Sequence, residues 1–158
     1  MTGSVKPVPP GYHTATPYLI VKGAIKALDF YKRAFGAVEL FCMDAPDGRV
    51  GHAEIRIGNS PIMLADEYPE IGAKSPETLG GSPVSILLYV EDVDAVFNRA
   101  VAAGAKVLRP VTNQFYGDRT GGVMDPFGHS WHISTHVEDV PADELQRRAQ
   151  AAKQPQPT

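Results

Sequence analysis

The chain has 158 residues, of which 43% are hydrophobic, and a formal net charge of −3. A chain of this length and composition can bury a core without a stabilising metal or disulfide, so we expect one compact soluble unit. The weak net charge, without a run of Lys or Arg, argues against a nucleic-acid partner, and no apolar stretch approaches the roughly 20 residues that cross a membrane. Met1–Tyr12 lacks the apolar segment of a signal peptide, which makes the cytoplasm the expected location.

The first half of the chain predicts one helix among four strands. Residues 1–14 are rich in proline and are expected to form a flexible arm. Apolar residues recurring at i, i+3, i+4 and i+7 predict a helix from about Gly23 to Phe35, which Gly36 ends. Apolar and alternating runs around it predict four strands, over residues 16–21, 38–43, 50–57 and 61–65.

The second half repeats the pattern of the first. A strand over 84–90 enters a helix over 92–103, and Gly104-Ala105 ends it as Gly36-Ala37 ends the first helix. Return strands are predicted at residues 107–108, 116–124 and 129–134. The repeat predicts an α+β fold of two βαβββ modules in tandem, over residues 15–66 and 84–137, with a ligand between the copies.

Two further segments lie outside the repeat. Residues 67–83 are rich in Pro, Gly and Ser and show no periodicity, so we interpret them as the linker between the modules. Residues 138–158 are predicted to form a short C-terminal helix, entered by Pro141, and a polar tail.

The doubled βαβββ pattern, the turn and strand Asp125-Pro-Phe-Gly-His-Ser-Trp131, and the preceding Gly117-Asp-Arg119 resemble the vicinal oxygen chelate superfamily. That superfamily includes glyoxalase I, extradiol dioxygenases, fosfomycin-resistance enzymes and bleomycin-resistance proteins. The segments Gly51–Glu54, Met63–Asp66 and Phe115–Arg119 are most similar to its PhnB-like branch. The resemblance implies a curved mixed sheet, with helices on the convex face and a ligand cup on the concave face.

The same resemblance implies positions for a metal. In metal-using members, the first and last strands of each module hold the ion, which carries over to Thr16, Met63, Ser85 and His132. Only His132 is a strong ligand for a first-row divalent ion, because a thioether is soft and neutral hydroxyls supply no charge. A divalent ion such as Zn, Ni, Mn or Fe would need other ligands, for which His52 and Glu54 are weak candidates beside His132.

Strand alternation indicates which side chains face the cup. Ala53, Ile55 and Ile57 should face the helices, which places His52 and Glu54 toward the cup or solvent. His132 should likewise face the cup, since Trp131 and Ile133 face the core. In the alternative interpretation, His52 and Glu54 only form hydrogen bonds between strands or at an interface and bind nothing.

Two further residues, Tyr116 and Arg119, complete the candidate site. Tyr116 is placed to stack on a ligand at the rim of the cup. Arg119 is suited to an anionic ligand through its planar fork, or it pairs with Asp118 or Glu54. The candidate ligand-binding residues are therefore His52, Glu54, Met63, Ser85, Tyr116, Arg119 and His132.

An intact scaffold with a depleted metal set predicts a small-molecule-binding protein, with antibiotic sequestration as one such role. The mildly negative chain would tolerate a basic, drug-like ligand. We expect a homodimer, because open sheets leave edges to be covered and the linker lets the second module dock on its own chain or on a partner. The rival hypothesis is a metal-dependent lyase, transferase or dioxygenase with a rearranged site of His52, Glu54 and His132. A purely structural dimer fits the polar cup residues less well.

Overall fold

The computed structural model describes residues 3–153, which form two compact units. The first unit comprises the chain through Pro83 together with Pro126–His129. The second comprises Val84–Asp125 and the chain from Ser130 onward. Each unit contains one four-stranded mixed sheet with a helix in its first crossover, so the predicted α+β fold of two βαβββ modules is confirmed.

The first unit contains four strands and one long helix, namely β1 (Tyr18–Val21), α1 (Ala24–Phe35), β2 (Val38–Asp44), β3 (Val50–Ile57) and β4 (Ser60–Asp66). Its sheet has the strand order β1-β4-β3-β2, with β1 parallel to β4 and the other pairs antiparallel. One face of the helix α1 is buried, with Leu28 and Tyr31 almost fully inaccessible.

A single carboxylate at the end of β4 joins three parts of this unit. Asp66 Oδ1 accepts hydrogen bonds from the backbone N–H groups of Gly23 and Ala24, at 2.9 and 2.8 Å. These N–H groups stand at the start of α1, where they have no acceptor within the helix. Its Oδ2 accepts the N–H of Val50, at the start of β3, at 2.8 Å. Asp66 therefore fixes the helix entry and two strand ends together.

The segment between the repeats has local structure that its composition did not predict. It contains a 3₁₀ turn at Pro69–Ile71 and a short helix α2 (Pro76–Leu79), with Ser75 as N-cap. Hydrogen bonds from Ser75 and Thr78 lower the pKa of Glu67 to about 2. The absence of periodicity reflected elements too short to show it.

The second unit contains β5 (Ser85–Tyr89), α3 (Val93–Ala103), β6 (Lys106–Asn113), β7 (Asp118–Met124), β8 (Ser130–His136) and α4 (Ala142–Ala152). Its sheet repeats the order of the first, as β5-β8-β7-β6 with β5 parallel to β8. Its core includes Trp131, whose indole N–H donates to Asp125 Oδ2 at 2.9 Å.

Several element bounds differ from the sequence expectation. Thr16 precedes β1 and does not lie within it, while β6 extends to Asn113, well beyond the predicted residues 107–108. The helix α4 continues to Ala152, and residues 154–158 of the predicted tail lie outside the described residues. Within the described residues, no helix combines the length and the apolar character needed to cross a membrane.

The turn between β7 and β8 belongs to the first unit. The ring of Phe127 packs edge-on against Phe30, with the ring centroids 6.2 Å apart, and is tilted against Tyr31 at 6.3 Å. A ring nitrogen of His129 lies 2.9 Å from the carbonyl of Ile20. Residues late in the chain therefore complete the core of the early unit.

Candidate functional site

A cavity of about 520 Å³ lies on the sheet of the second unit. All four strands of that sheet, and the turn between β6 and β7, contribute to its walls. The lining residues are Leu87, Arg109, Pro110, Thr112, Gln114, Tyr116, Thr120, Gly121, Gly122 and His132.

Strand alternation places His132 in this cavity. Its neighbours Trp131 and Ile133 are fully buried on the helix side, so His132 faces the opposite side of β8. Leu87 on β5 and Gly122 on β7 are its partners in the flanking strands. Hydrophobic burial on one face of the strand thus fixes the imidazole on the other.

Two successive glycines in β7 face opposite sides of the sheet. A Cβ built on Gly121 would lie 2.8 Å from the ring of Phe97, on α3, so no side chain fits there. A Cβ on Gly122 would meet only ordinary contacts, at 3.8 Å from Arg109 Cβ and from His132 Nδ1. The missing side chain of Gly122 therefore leaves space on the cavity side, between Arg109 and His132.

Arg109 is a cavity residue that sequence reasoning missed. It is the partner of Gly122 across β6 and β7, in a part of β6 that was not predicted as a strand. Among residues 3–153, neither its guanidinium nor the imidazole of His132 has a hydrogen-bond or ion-pair partner. In the sequence, the only indication of this residue is that Arg109-Pro110 interrupts a short apolar run.

Tyr116 lines the cavity, in the turn that follows β6, and is 41% exposed. Its ring packs edge-on against Phe115, with centroids 5.4 Å apart. Gln114 lies nearby, and its amide donates to Thr112 Oγ1 at 2.9 Å. The turn thus supplies an aromatic ring and polar groups to the wall.

Arg119 does not line this cavity, contrary to the sequence expectation. Its guanidinium forms a two-pronged ion pair with Asp94 of α3, with both N–O distances 2.8 Å, and this pair lowers the pKa of Asp94. The carboxylate partner of Arg119 is therefore Asp94, and not Asp118 or Glu54, which were the alternatives in the sequence. Arg119 is opposite Thr135 in register, on the helix side of the sheet.

His52 and Glu54 form a closed network in the first unit. The imidazole lies 3.0 Å from Glu54 Oε1 and 2.8 Å from the hydroxyl of Tyr18, and the hydroxyl of Tyr12 donates to Glu54. With Tyr18 donating to Nδ1, the other ring nitrogen carries the proton toward Glu54. Hydrogen bonds from Tyr12 and then His52 lower the pKa of Glu54, and the contact raises the pKa of Tyr12 to about 12.

The remaining predicted residues lie apart from the cavity lining. Met63 stands between Tyr18 and Glu54 in the first sheet, and Ser85 begins β5 opposite Ser130. Of the predicted site residues, the structure therefore brings His132 and Tyr116 to one cavity, and His52, Glu54 and Met63 to the sheet of the first unit.

The residues at the implied metal positions do not fit a divalent ion. A hydroxyl, a thioether, a second hydroxyl and one imidazole are a poor donor set for Zn, Ni, Mn or Fe. Both ring nitrogens of His52 are already hydrogen-bonded, so it offers no lone pair. Within the described part of the chain, no group of three His, Cys, Asp or Glu side chains could hold a metal.

A second polar cluster lies at the start of β7. The largely buried carboxylate of Asp118 accepts the hydroxyl of Tyr89 at 2.8 Å and a ring N–H of His136 at 2.7 Å. The other ring nitrogen of His136 lies 2.8 Å from the exposed Asp139. Asp118, and then Asp139, raise the pKa of His136 above its usual value.

This cluster predicts a pH-dependent contribution to stability. Because the pKa of His136 is higher in the folded chain, its contribution is complete below the unfolded value of about 6.5 and is lost as pH rises through the folded value. We expect His136→Gln to destabilise the protein more at pH 5.5 than at pH 8.5, as measured by urea unfolding. The exposed His13 provides the control, because His13→Gln should cause no such difference. An equal loss at both pH values for His136→Gln would contradict the prediction.

Comparison with known proteins gives one family. The sequence model of the glyoxalase/bleomycin resistance protein/dioxygenase superfamily matches residues 12–133. An uncharacterised protein of Mycobacterium bovis is 48% identical over 134 residues, covering 83% of this chain and 88% of its own length.

Two solved structures are similar in fold and sequence. A gene product of Arabidopsis thaliana is 30% identical with a TM-score of 0.61, and the match covers 78% of this chain and 98% of that one. TioX from Micromonospora is 25% identical with a TM-score of 0.62, and the match covers 82% of this chain and all of that one.

Proposed function

Because this chain belongs to the glyoxalase/bleomycin resistance protein/dioxygenase superfamily, we propose that it binds a small organic molecule in the cavity of its second unit. The observation that supports this most is a cavity of about 520 Å³ that contains His132 with no hydrogen-bond partner among the described residues. Small-molecule sites have volumes of roughly 300–1,000 Å³ and combine apolar walls with a few polar groups.

The donor set favours binding over metal-assisted chemistry. The one strong ligand among the implied metal positions is His132, and His52 and Glu54 are engaged with tyrosines and with each other. Binding without chemistry needs only a concave site, and sequestration of an antibiotic is one role of this kind. We place the chain in the PhnB-like branch and in the cytoplasm, with no nucleic-acid or membrane partner, on the sequence features given above.

The test is a thermal-shift screen of the full chain against small acids, bases and neutral compounds, including glycopeptide and aromatic antibiotics. A ligand at about 100 times its Kd stabilises a protein by about 2.7 kcal/mol, which raises Tm by several degrees. Gly122→Val should abolish the shift by filling the cavity, since a side chain at Gly122 meets no close contact.

His132→Ala adds a second readout. It should weaken binding while lowering stability by less than about 1 kcal/mol, because no described partner is left unsatisfied. If a ligand raises the Tm of Gly122→Val and His132→Ala as much as that of the wild type, the binding site lies elsewhere. If no compound stabilises the wild type, or a glyoxalase or epoxide substrate is turned over, the binding proposal fails.

We also propose that the protein is a homodimer. The open face of the first sheet carries Tyr18, Phe41 and Met43, whose residues are 49%, 48% and 50% exposed in the single chain. The rings of Tyr18 and Phe41 lie within 5.4 and 6.3 Å of the His52 ring, and Met43 is opposite His52 in register, so the three exposed groups surround one position, as is typical of an interface. A second copy of the chain would cover this face, with the modules paired within each chain or exchanged between the two.

The dimer gives a direct prediction for sedimentation. We expect the wild type to sediment as a dimer at micromolar concentration and Phe41→Glu to sediment as a monomer, because a charge would be buried in the interface. Ile25→Glu is the matched control, since Ile25 is also exposed but lies on α1. A monomeric wild type would refute the dimer, and shortening residues 67–83 should change the balance between the exchanged and unexchanged forms.

A further inference from the structure

The cavity of the second unit differs in charge from the chain as a whole. The chain carries a net charge of −3, yet Asp and Glu are absent from the residues that line the cavity. Arg109 is the formally charged lining residue, and His132 is the titratable one. The local field therefore attracts negative charge, whatever the sign of the whole protein.

Arg109 is an unpaired arginine that lines the cavity. Five other arginines, Arg33, Arg49, Arg119, Arg147 and Arg148, each pair with an aspartate or glutamate at 2.5–3.0 Å, and the exposed Arg56, which is unpaired like Arg109, is not among the lining residues. Arg109 has no such partner in the part of the chain that the structure describes. A guanidinium carries five N–H donors in a planar fork that matches a carboxylate or phosphonate, so Arg109 is available for an anion from outside the chain.

The register of three strands shows where that anion would lie. Arg109 on β6, Gly122 on β7 and His132 on β8 are aligned across the sheet. Because Gly122 has no side chain, the sheet surface over its Cα is open, and even a Cβ added there would lie 3.8 Å from Arg109 Cβ and from His132 Nδ1. Leu87 and Pro110 supply apolar surface, and Tyr116 an aromatic ring, for the rest of the molecule.

We propose that the ligand of this cavity is a small organic acid, whose carboxylate or phosphonate lies over Gly122 between Arg109 and His132. This inference rests on the proposed binding function and specifies the ligand class for it. An amine would be repelled by Arg109 without a carboxylate to offset it. The basic ligand that the net charge of the chain tolerates is therefore not the one that this cavity selects.

The experiment compares compounds that share a shape and differ in charge. Calorimetric titration of the full chain would compare phenylacetate with phenylacetamide and phenethylamine. Naphthylacetate and naphthylacetamide give the same comparison with a larger ring, and phenylphosphonate is the second kind of acid. We expect the acids to bind at least about 10-fold more tightly than their amides, since a charge-assisted fork is lost in the amide, and the amine not to bind.

Variants of Arg109 test whether the preference for acids depends on its guanidinium. Arg109→Gln should reduce acid affinity about 10-fold or more, to the level of the amide, and Arg109→Lys should restore part of it. Arg33→Gln removes the same charge from the outside of α1 and should leave the acid preference unchanged. These two results together would support the inference.

The outcomes separate the inference from the function. If amides or amines bind as tightly as acids and Gly122→Val abolishes that binding, the cavity binds small molecules but the anion assignment is wrong. The assignment is also wrong if Arg109→Gln keeps the acid preference. If no member of the series binds, and no compound of the thermal-shift screen loses its stabilising effect in Gly122→Val, the binding function fails and the ligand class fails with it.

Discussion

Replacing Asp66 with alanine is expected to lower the free energy of unfolding by about 3 kcal/mol. The carboxylate accepts three backbone N–H groups, from Gly23, Ala24 and Val50, and each loses a charged acceptor in the variant. Hydrogen bonds to a charged group contribute about 1.5–3 kcal/mol each, and water replaces part of this because the site is only partly buried. Urea unfolding of the purified chain measures the loss.

Two further variants test the cause. Asp66→Asn keeps one oxygen as acceptor and should lose about half as much stability as Asp66→Ala. Asp44, at the end of β2, is an exposed aspartate whose replacement by alanine should have little effect. A loss below about 1 kcal/mol in Asp66→Ala would show that the three N–H groups do not depend on the carboxylate.

Gly121→Ala is expected to destabilise the protein by about 2–3 kcal/mol, whereas Gly122→Ala should change stability by less than about 1 kcal/mol. A Cβ at Gly121 would lie 2.8 Å from two ring atoms of Phe97 and from Val111 Cγ2, so the core must shift to accept it. The neighbouring Gly122 meets only contacts of 3.8 Å. Thermal or urea unfolding of the two variants, which add the same methyl group, measures the difference.

A smaller residue at position 97 should rescue the first variant. Phe97→Leu destabilises the wild type by leaving space, but in the Gly121→Ala background it should cost less, which gives a favourable coupling energy in a double-mutant cycle. Equally small losses for Gly121→Ala and Gly122→Ala would contradict the prediction, because they would mean that the helix α3 adapts to the added methyl at no cost.

Much of the fold could be predicted because the pattern occurs twice and the buried faces are strongly apolar. The alternation in β3 placed Ala53 and Ile55 in the core and His52 and Glu54 on the other side, and the bounds of β3 are those of the structure. The strand β6 was mostly missed because it lies at the sheet edge, where Pro110 and polar residues are tolerated and hide the pattern.

The site was harder to predict because the strands that form it lack a clear alternation of apolar and polar residues. In β7 the two glycines interrupt the alternation of apolar and polar residues, so the sequence does not indicate which face Arg119 occupies; in the structure it lies opposite Thr135 and pairs with Asp94 of α3. Arg109 could not be found without the extent of β6. His132 was placed because Trp131 and Ile133 flank it and admit only one orientation.

The turn Pro126–His129 also affects how the protein forms during synthesis. The ribosome releases the chain from its N-terminus, and early domains generally fold as they emerge. The first unit cannot do so fully, because Phe127 and His129, which contact Phe30, Tyr31 and Ile20, come after β5, β6 and β7. A fragment ending at Pro83 would leave that part of its core exposed to water. The first unit can therefore complete its folding only after most of the second unit has been synthesised.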